Sequence, residues 1–303
     1  MTPEKTPSSK FLLFLGCAVP YRVSSYEIST RKILDKLGIE LVEMPEYNCC
    51  GLPIDPVSHE MMLTLAARNL CLAEQQGLNI VALCPGCAGT LRKVNKKLKQ
   101  DKGLRERINE YLKETGLEFK GTIEAKHLLQ LLTEDVGLER IKNSVEKPLT
   151  NLQVAEHIGC HVTRPADDVN FDNSENPESL KKLIEATGAI YVEYLDRLAC
   201  CGAPIAGVND KIPLQLTREK LAHVKEAGAH ALVTVCPFCH MMFDTNQPRI
   251  ERMFNEDFKI PILHYPQLLG LALGLSTEEL ALKELRVDPT PAITRIAGKT
   301  EDK

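Results

Sequence analysis

Ile80-Val-Ala-Leu-Cys-Pro-Gly-Cys87 and, 152 residues later, Leu232-Val-Thr-Val-Cys-Pro-Phe-Cys239 are two versions of one sentence. Each is a short apolar run of strand-forming residues that ends abruptly on a Cys-Pro-x-Cys knuckle. Working outward, the same doubling continues. Cys49-Cys50-Gly-Leu-Pro53 is answered by Cys200-Cys201-Gly-Ala-Pro204 at an offset of 151, and Gly16-Cys17 by Gly159-Cys160 at 143. The two copies drift by only nine residues, nearly all of them after Cys160, in the polar stretch 166–176, which reads as a longer loop. Ten of the eleven cysteines fall into this scheme.

The segments between the cysteines repeat as well. Strands are expected at 11–15 and 153–158, at 39–43 and 189–193, and at 80–83 and 231–235. Between them lie helical patterns at 25–37 and 177–187, then at 58–76 and 213–227, each closed by a glycine (Gly38, Gly188, Gly77, Gly228). Strand and helix alternate, so the expected class is α/β. It consists of two pseudo-symmetric halves, each a small, mostly parallel sheet flanked by helices. Every cysteine group then lies just beyond the carboxyl end of a strand, the edge where sites form in open α/β sheets. The first half adds helical stretches at 91–100, 104–113 and 124–132. The polar linker 146–151 sets the expected boundary between residues 1–147 and 148–303, and residues 288–303 read as a loose tail or one that docks on a partner.

Bulk properties narrow the chemistry. A chain of 303 residues, 44% hydrophobic, has length for two cores. A formal charge of −4 gives no reason to expect nucleic acid. The run Leu268-Leu-Gly-Leu-Ala-Leu-Gly-Leu275 is far too short to cross a bilayer. The polar opening Met1-Thr-Pro-Glu-Lys-Thr-Pro-Ser-Ser-Lys10 does not resemble a signal peptide, so the expected location is the cytoplasm. In a reducing compartment an odd number of cysteines, two pairs of them adjacent, is not a disulfide framework.

Metal or redox chemistry explains them better. Each half offers five thiols with only one knuckle, whereas structural zinc takes four ligands, usually from two knuckles. Ferredoxin-type cubes draw on a tight run of three cysteines and one remote, and no such run exists here. Five thiolates suit an unusual cluster with more ligand demand than a cube, or a cube with one spare reactive thiol. Cys71 stands outside the pattern, mid-helix beside Leu70 and Ala73, and reads as a core thiol.

Cys, then Cys-Cys-Gly, then Cys-x-x-Cys, complete twice over almost the whole chain, resembles the CCG-domain family and, within it, the B subunit of heterodisulfide reductase. The resemblance implies two noncubane 4Fe–4S clusters, one held by Cys17, Cys49, Cys50, Cys84 and Cys87, the other by Cys160, Cys200, Cys201, Cys236 and Cys239. It implies reduction of the mixed disulfide of coenzyme M and coenzyme B, as in methanogenesis. Electrons would come through an iron–sulfur C subunit from a flavin-containing A subunit, with a hydrogenase or formate dehydrogenase as a further partner it allows. Two one-electron centres facing a cleft would match a two-electron reduction.

His161, directly after Cys160, is a candidate proton donor to a departing thiolate, or a hydrogen-bond donor to sulfur. Arg22 and Arg164 are candidates for holding an anionic disulfide substrate, or are solvated loop residues. His127 and His264 occupy matching places and read as capping or packing residues. The rival readings are a CCG subunit of another complex (a sulfur-oxidation heterodisulfide-reductase-like system, a thiol:fumarate reductase or an unusual succinate dehydrogenase) and, from another class, a zinc-binding assembly module.

Overall fold

The computed structural model describes residues 9–209 and 211–296. It contains two four-stranded sheets of the same design. In the first, β1 (Lys10–Phe14), β2 (Glu40–Val42), β3 (Ile80–Ala82) and β4 (Ala125–His127) stand in the order β2-β1-β3-β4. In the second, β5 (Gln153–His157), β6 (Ile190–Tyr191), β7 (Ala231–Thr234) and β8 (Ile262–His264) stand in the order β6-β5-β7-β8. Every pairing is parallel. All carboxyl ends in a sheet therefore share one edge, and the three cysteine groups of each half leave from it.

β4 and β8 were not expected. Residues 124–132 read as helix, but Ala125–His127 is a strand whose Val81↔Lys126 register extends the first sheet, and the helical turn begins only at Leu128. Three residues are too few to show a period of two, and the Leu-rich run behind them imposes its helical pattern on the whole segment. Two other readings also change. Within 166–176, Ala166–Val169 forms one helical turn. The final segment is not loose throughout, because Thr290–Ile296 is a helix with Ala292 buried; residues 297–303 lie outside the described residues, as do 1–8 at the other end.

The strands alternate strictly in what they feed. Phe11 and Leu13 of β1, Val154 of β5, and Ala231 and Val233 of β7 enter one core common to both halves. Leu12 and Phe14 enter a core private to the first half, and Ala155 and Leu232 one private to the second. The common core is built by helices Ser24–Lys36, Ser179–Ala186 and Tyr265–Ala272, which bring Ile33, Leu34, Leu180, Leu183, Leu268 and Leu269 together. At about 1.5–3 kcal/mol for each buried Leu or Ile side chain, this layer welds the halves firmly. It also carries polar ties, for the Tyr26 hydroxyl in the first half donates to the Val235 carbonyl in the second at 3.0 Å.

Candidate metal centres

Each knuckle is the start of a helix. Cys84 is the N-cap of Pro85–Gln100, Pro85 occupies its first position, and Cys87 lies in its first turn. The expected helix 91–100 is thus the second part of a longer one that begins at the knuckle. Proline is preorganised there, and the positive end of the helix favours a thiolate. Cys236 caps Pro237–His240 in the same way, but that helix loosens at once into a π-helical turn, Met241–Thr245. The Cys-Cys pairs ride on left-handed glycines. Gly51 (φ +91) and Gly202 (φ +89) turn the chain so tightly that an added Cβ would stand 2.8 Å from the Met62 carbonyl and 2.7 Å from Pro213 Cα, respectively. Alanine at either place would cost about 1–2 kcal/mol from the backbone alone, before that collision. The turn also aims an N–H at sulfur, Gly51 toward Cys49 at 3.5 Å and Gly202 toward Cys200 at 3.3 Å.

These devices bring the thiols of each half together. In the first, Cys87 hydrogen-bonds both Cys50 and Cys84; it is driven well above its ordinary pKa while its two partners are drawn down. Cys17 is exposed and close enough to Cys49 to raise it electrostatically, after burial and the Cys50 charge. In the second, Cys200 and Cys239 hydrogen-bond Cys201 and hold it far below its usual value, and the charges of Cys201 and Cys236 act on Cys160. All ten are free thiols, with Cys50, Cys84, Cys87, Cys201 and Cys239 buried and the rest reaching toward the surface. Sulfurs that compete for each other's protons in a buried place are the donor set that a thiophilic metal or iron–sulfur group satisfies by taking all of them as thiolates. The residues fit such a group in both halves. Cys71 takes no part: it is buried on helix His59–Gln76, and burial pushes its thiol up to about 12.

The second site contains two residues the sequence reading passed over. His157, at the end of β5, lies with its ring nitrogen within 4.8 Å of the sulfurs of Cys201 and Cys239. Lys220, on helix Lys211–Glu226, is fully buried, and Cys201, Cys239 and Cys200 all act electrostatically on its ammonium. Its Nζ donates to the Asp196 carbonyl at 2.5 Å and lies 3.8 Å from that residue's carboxylate. Burial lowers its pKa to about 8, against the charge of Asp196, which raises it. One signal was present: Lys220 interrupts the apolar face formed by Leu214, Thr217, Leu221 and Val224.

The polar candidates separate. His161 leaves the short turn Cys160–Val162, which packs against helix Pro85–Gln100 of the other half. A Cβ placed on Gly86 would have His161 Nδ1 at 3.5 Å and Cys84 Sγ at 3.7 Å, so His161 stands between its own cysteine and the first half's knuckle. Beside it is a cavity of 220 Å³ whose wall includes Leu52, Gly86, Lys93, His161 and Arg164. Arg164 is there with its fork partly used, Nε and Nη2 both donating to the Ser174 carbonyl at 3.1 and 3.0 Å. Arg22 is exposed at the end of Val19–Arg22 and does not line that cavity. His127 and His264 support rather than react. His127 Nδ1 accepts from the Leu129 N–H and its Nε2 meets the Leu83 carbonyl, next to Cys84, at 3.3 Å. His264 is stacked between Tyr26 (3.9 Å) and His240 (4.1 Å).

The cysteine-rich domain family CCG matches residues 11–92 and again 154–244, once for each cysteine set. The chain belongs to the CCG family. Among proteins similar to this CCG chain is the B subunit of the ferredoxin/F420H2-dependent CoB–CoM heterodisulfide reductase of Methanosarcina acetivorans, 38% identical over 95% of this chain and 97% of that one. Another is the 8-methylmenaquinol:fumarate reductase membrane anchor subunit of Wolinella succinogenes, 34% identical over 93% of this chain and 98% of that one. A crystal structure of a hypothetical protein from Helicobacter pylori shares the fold, with a TM-score of 0.76 at 19% identity, over 93% of this chain and 52% of that one. Among the described residues no helix is long and apolar enough to cross a membrane.

Proposed function

We propose that this CCG chain is the disulfide-reducing subunit of a heterodisulfide reductase-like complex. Its ten paired cysteines hold two noncubane 4Fe–4S clusters, one in each of the units 1–147 and 148–303, and its substrate is the mixed disulfide of coenzyme M and coenzyme B. The observation that carries the reading is the convergence of five free thiols at the carboxyl edge of each sheet, complete twice. When bound, the clusters supply the electrons that cleave the disulfide, received from an iron–sulfur C subunit and a flavin-containing A subunit.

The rest of the chemistry belongs to the chain. The knuckle helices and the glycine turns hold the thiolates in place. The buried walls around them exclude water. Arg164 and Lys93 place two cationic groups in the wall of the 220 Å³ cavity, alongside Asp55 and Asp168, where they can meet anionic groups on a disulfide. His161, between Cys160 and the Cys84 knuckle, is positioned to give a proton to a thiolate leaving the cavity.

Iron and acid-labile sulfide analysis of anaerobically purified protein tests this. Two clusters per chain are expected, and a colourless protein carrying zinc alone would end the reading. The Wolinella relative favours a second reading, service in a fumarate reductase. A complex that consumes fumarate with electrons from this chain and leaves the coenzyme disulfide untouched would establish it.

A further inference from the structure

The two thiol sets differ in what surrounds them. At the position where the first half has Asn69, the second has Lys220, each on the helix that follows its Cys-Cys-Gly turn. Asn69 is a neutral clamp: its Oδ1 accepts from the Asn48 N–H at 3.0 Å and its Nδ2 donates to the Cys49 carbonyl at 3.2 Å. Lys220 replaces that clamp by a buried ammonium beside Cys200, Cys201 and Cys239. At the position of Phe14, which only packs against Tyr47, the second half has His157, which hydrogen-bonds Cys201. The second set thus gains a buried lysine, which faces the Asp196 carboxylate, and a histidine bonded to Cys201; the first has only the Thr90 hydroxyl on Cys50. Both additions favour the more negative state of whatever the thiolates hold, because net charge and hydrogen bonds to sulfur set the reduction potential of an iron–sulfur centre.

We infer that Lys220 is a charge-setting residue that makes the second cysteine set the more easily reduced of the two, so that reducing equivalents settle in the second half. The inference rests on the two-cluster reading above. In a water-poor surrounding a single charge shifts such an equilibrium by about tenfold or more, which for one electron is about 59 mV.

Anaerobic potentiometric titration of the cluster-loaded protein, followed by electron paramagnetic resonance, reads this directly. The second half's transition is identified as the one that Cys201→Ser abolishes. In Lys220→Gln, with iron and sulfide content unchanged, that transition should fall by about 59 mV or more while the first half's stays put. Asp196→Asn removes the carboxylate facing Lys220 and should move the same transition the opposite way; Asp196 has φ +60, which asparagine tolerates. If Lys220→Gln loses iron from the second half, Lys220→Arg and Asp196→Asn decide the matter. Retained iron with a near-normal potential in the first and a raised one in the second supports the inference, and an unmoved potential in Asp196→Asn overturns it. Full iron with both transitions unmoved in Lys220→Gln overturns it alone. Absence of iron from the unaltered protein overturns it together with the function proposed above.

Discussion

The first half surrounds its cysteines with Phe14 and Asn69; the second surrounds equivalent cysteines with His157 and Lys220, and behind them a buried Arg197–Glu156 ion pair at 2.8 Å. The knuckle helix is continuous through Gln100 in the first half and broken by a π-helical turn after His240 in the second. One scaffold, written twice, therefore presents the same cysteine pattern in a largely neutral setting and in a charged one. The cysteines and the turns that aim them are the same in both halves, because those are dictated by what sulfur must reach. The shell behind the cysteines was free to diverge, because packing tolerates Phe or His, Asn or Lys at these positions.

The comparison is tested most severely by removing one ligand from each half. Cys50→Ser and Cys201→Ser should each cost one cluster's worth of iron and lower disulfide turnover by more than about a hundredfold, beyond what losing a mere supporting partner costs. Turnover that survives in either variant would show that the two halves do not share the work. His161→Ala comes next, since the second half lends this side chain to the first half's knuckle. Iron content should stay full while turnover per cluster falls about ten- to a hundredfold. Unchanged turnover per cluster would remove His161 from proton delivery.

A smaller effect separates His127 from solvent-exposed histidines. Burial pushes its imidazole down to about 4, below the ordinary value near 6.5 that it regains on unfolding. The folded chain then binds fewer protons, so its stability is full above pH 6.5 and declines as the pH falls toward 4. Between pH 7 and pH 5 the His127 share of that loss is about 2 kcal/mol. In His127→Asn, which can still cap the turn at Leu128, the acid-side decline measured by denaturant unfolding should be shallower by that amount. An equal slope in the two proteins would show that His127 is protonated in the fold. The smallest effect belongs to Cys71→Ala: about 1 kcal/mol of stability for a small buried group, with iron content untouched. Iron lost from that variant would place Cys71 among the ligands and break the two-by-five symmetry.

Most of the fold was legible because it is local. Alternation of short apolar runs with helical patterns, closed by glycines, specifies six of the eight strands and the helices that cover them. β4 and β8 escaped because three residues ahead of a Leu- or Pro-containing helical turn carry no readable period. The cysteine sets were legible for a different reason: the same five residues recur at nearly constant offset, and nothing but a shared task keeps them aligned. What the sequence could not disclose is everything that joins distant segments. That His161 borders Cys84, that Tyr26 reaches the carbonyl before Cys236, and that Arg164 but not Arg22 lines the cavity follow from how the two sheets press on their common core. Lys220 and His157 take their meaning from burial and the nearness of sulfur. Amino-acid order determines each half through contacts between neighbours in the chain. The polar surroundings of the sites depend on contacts between residues tens to hundreds of positions apart, and only tertiary packing decides those.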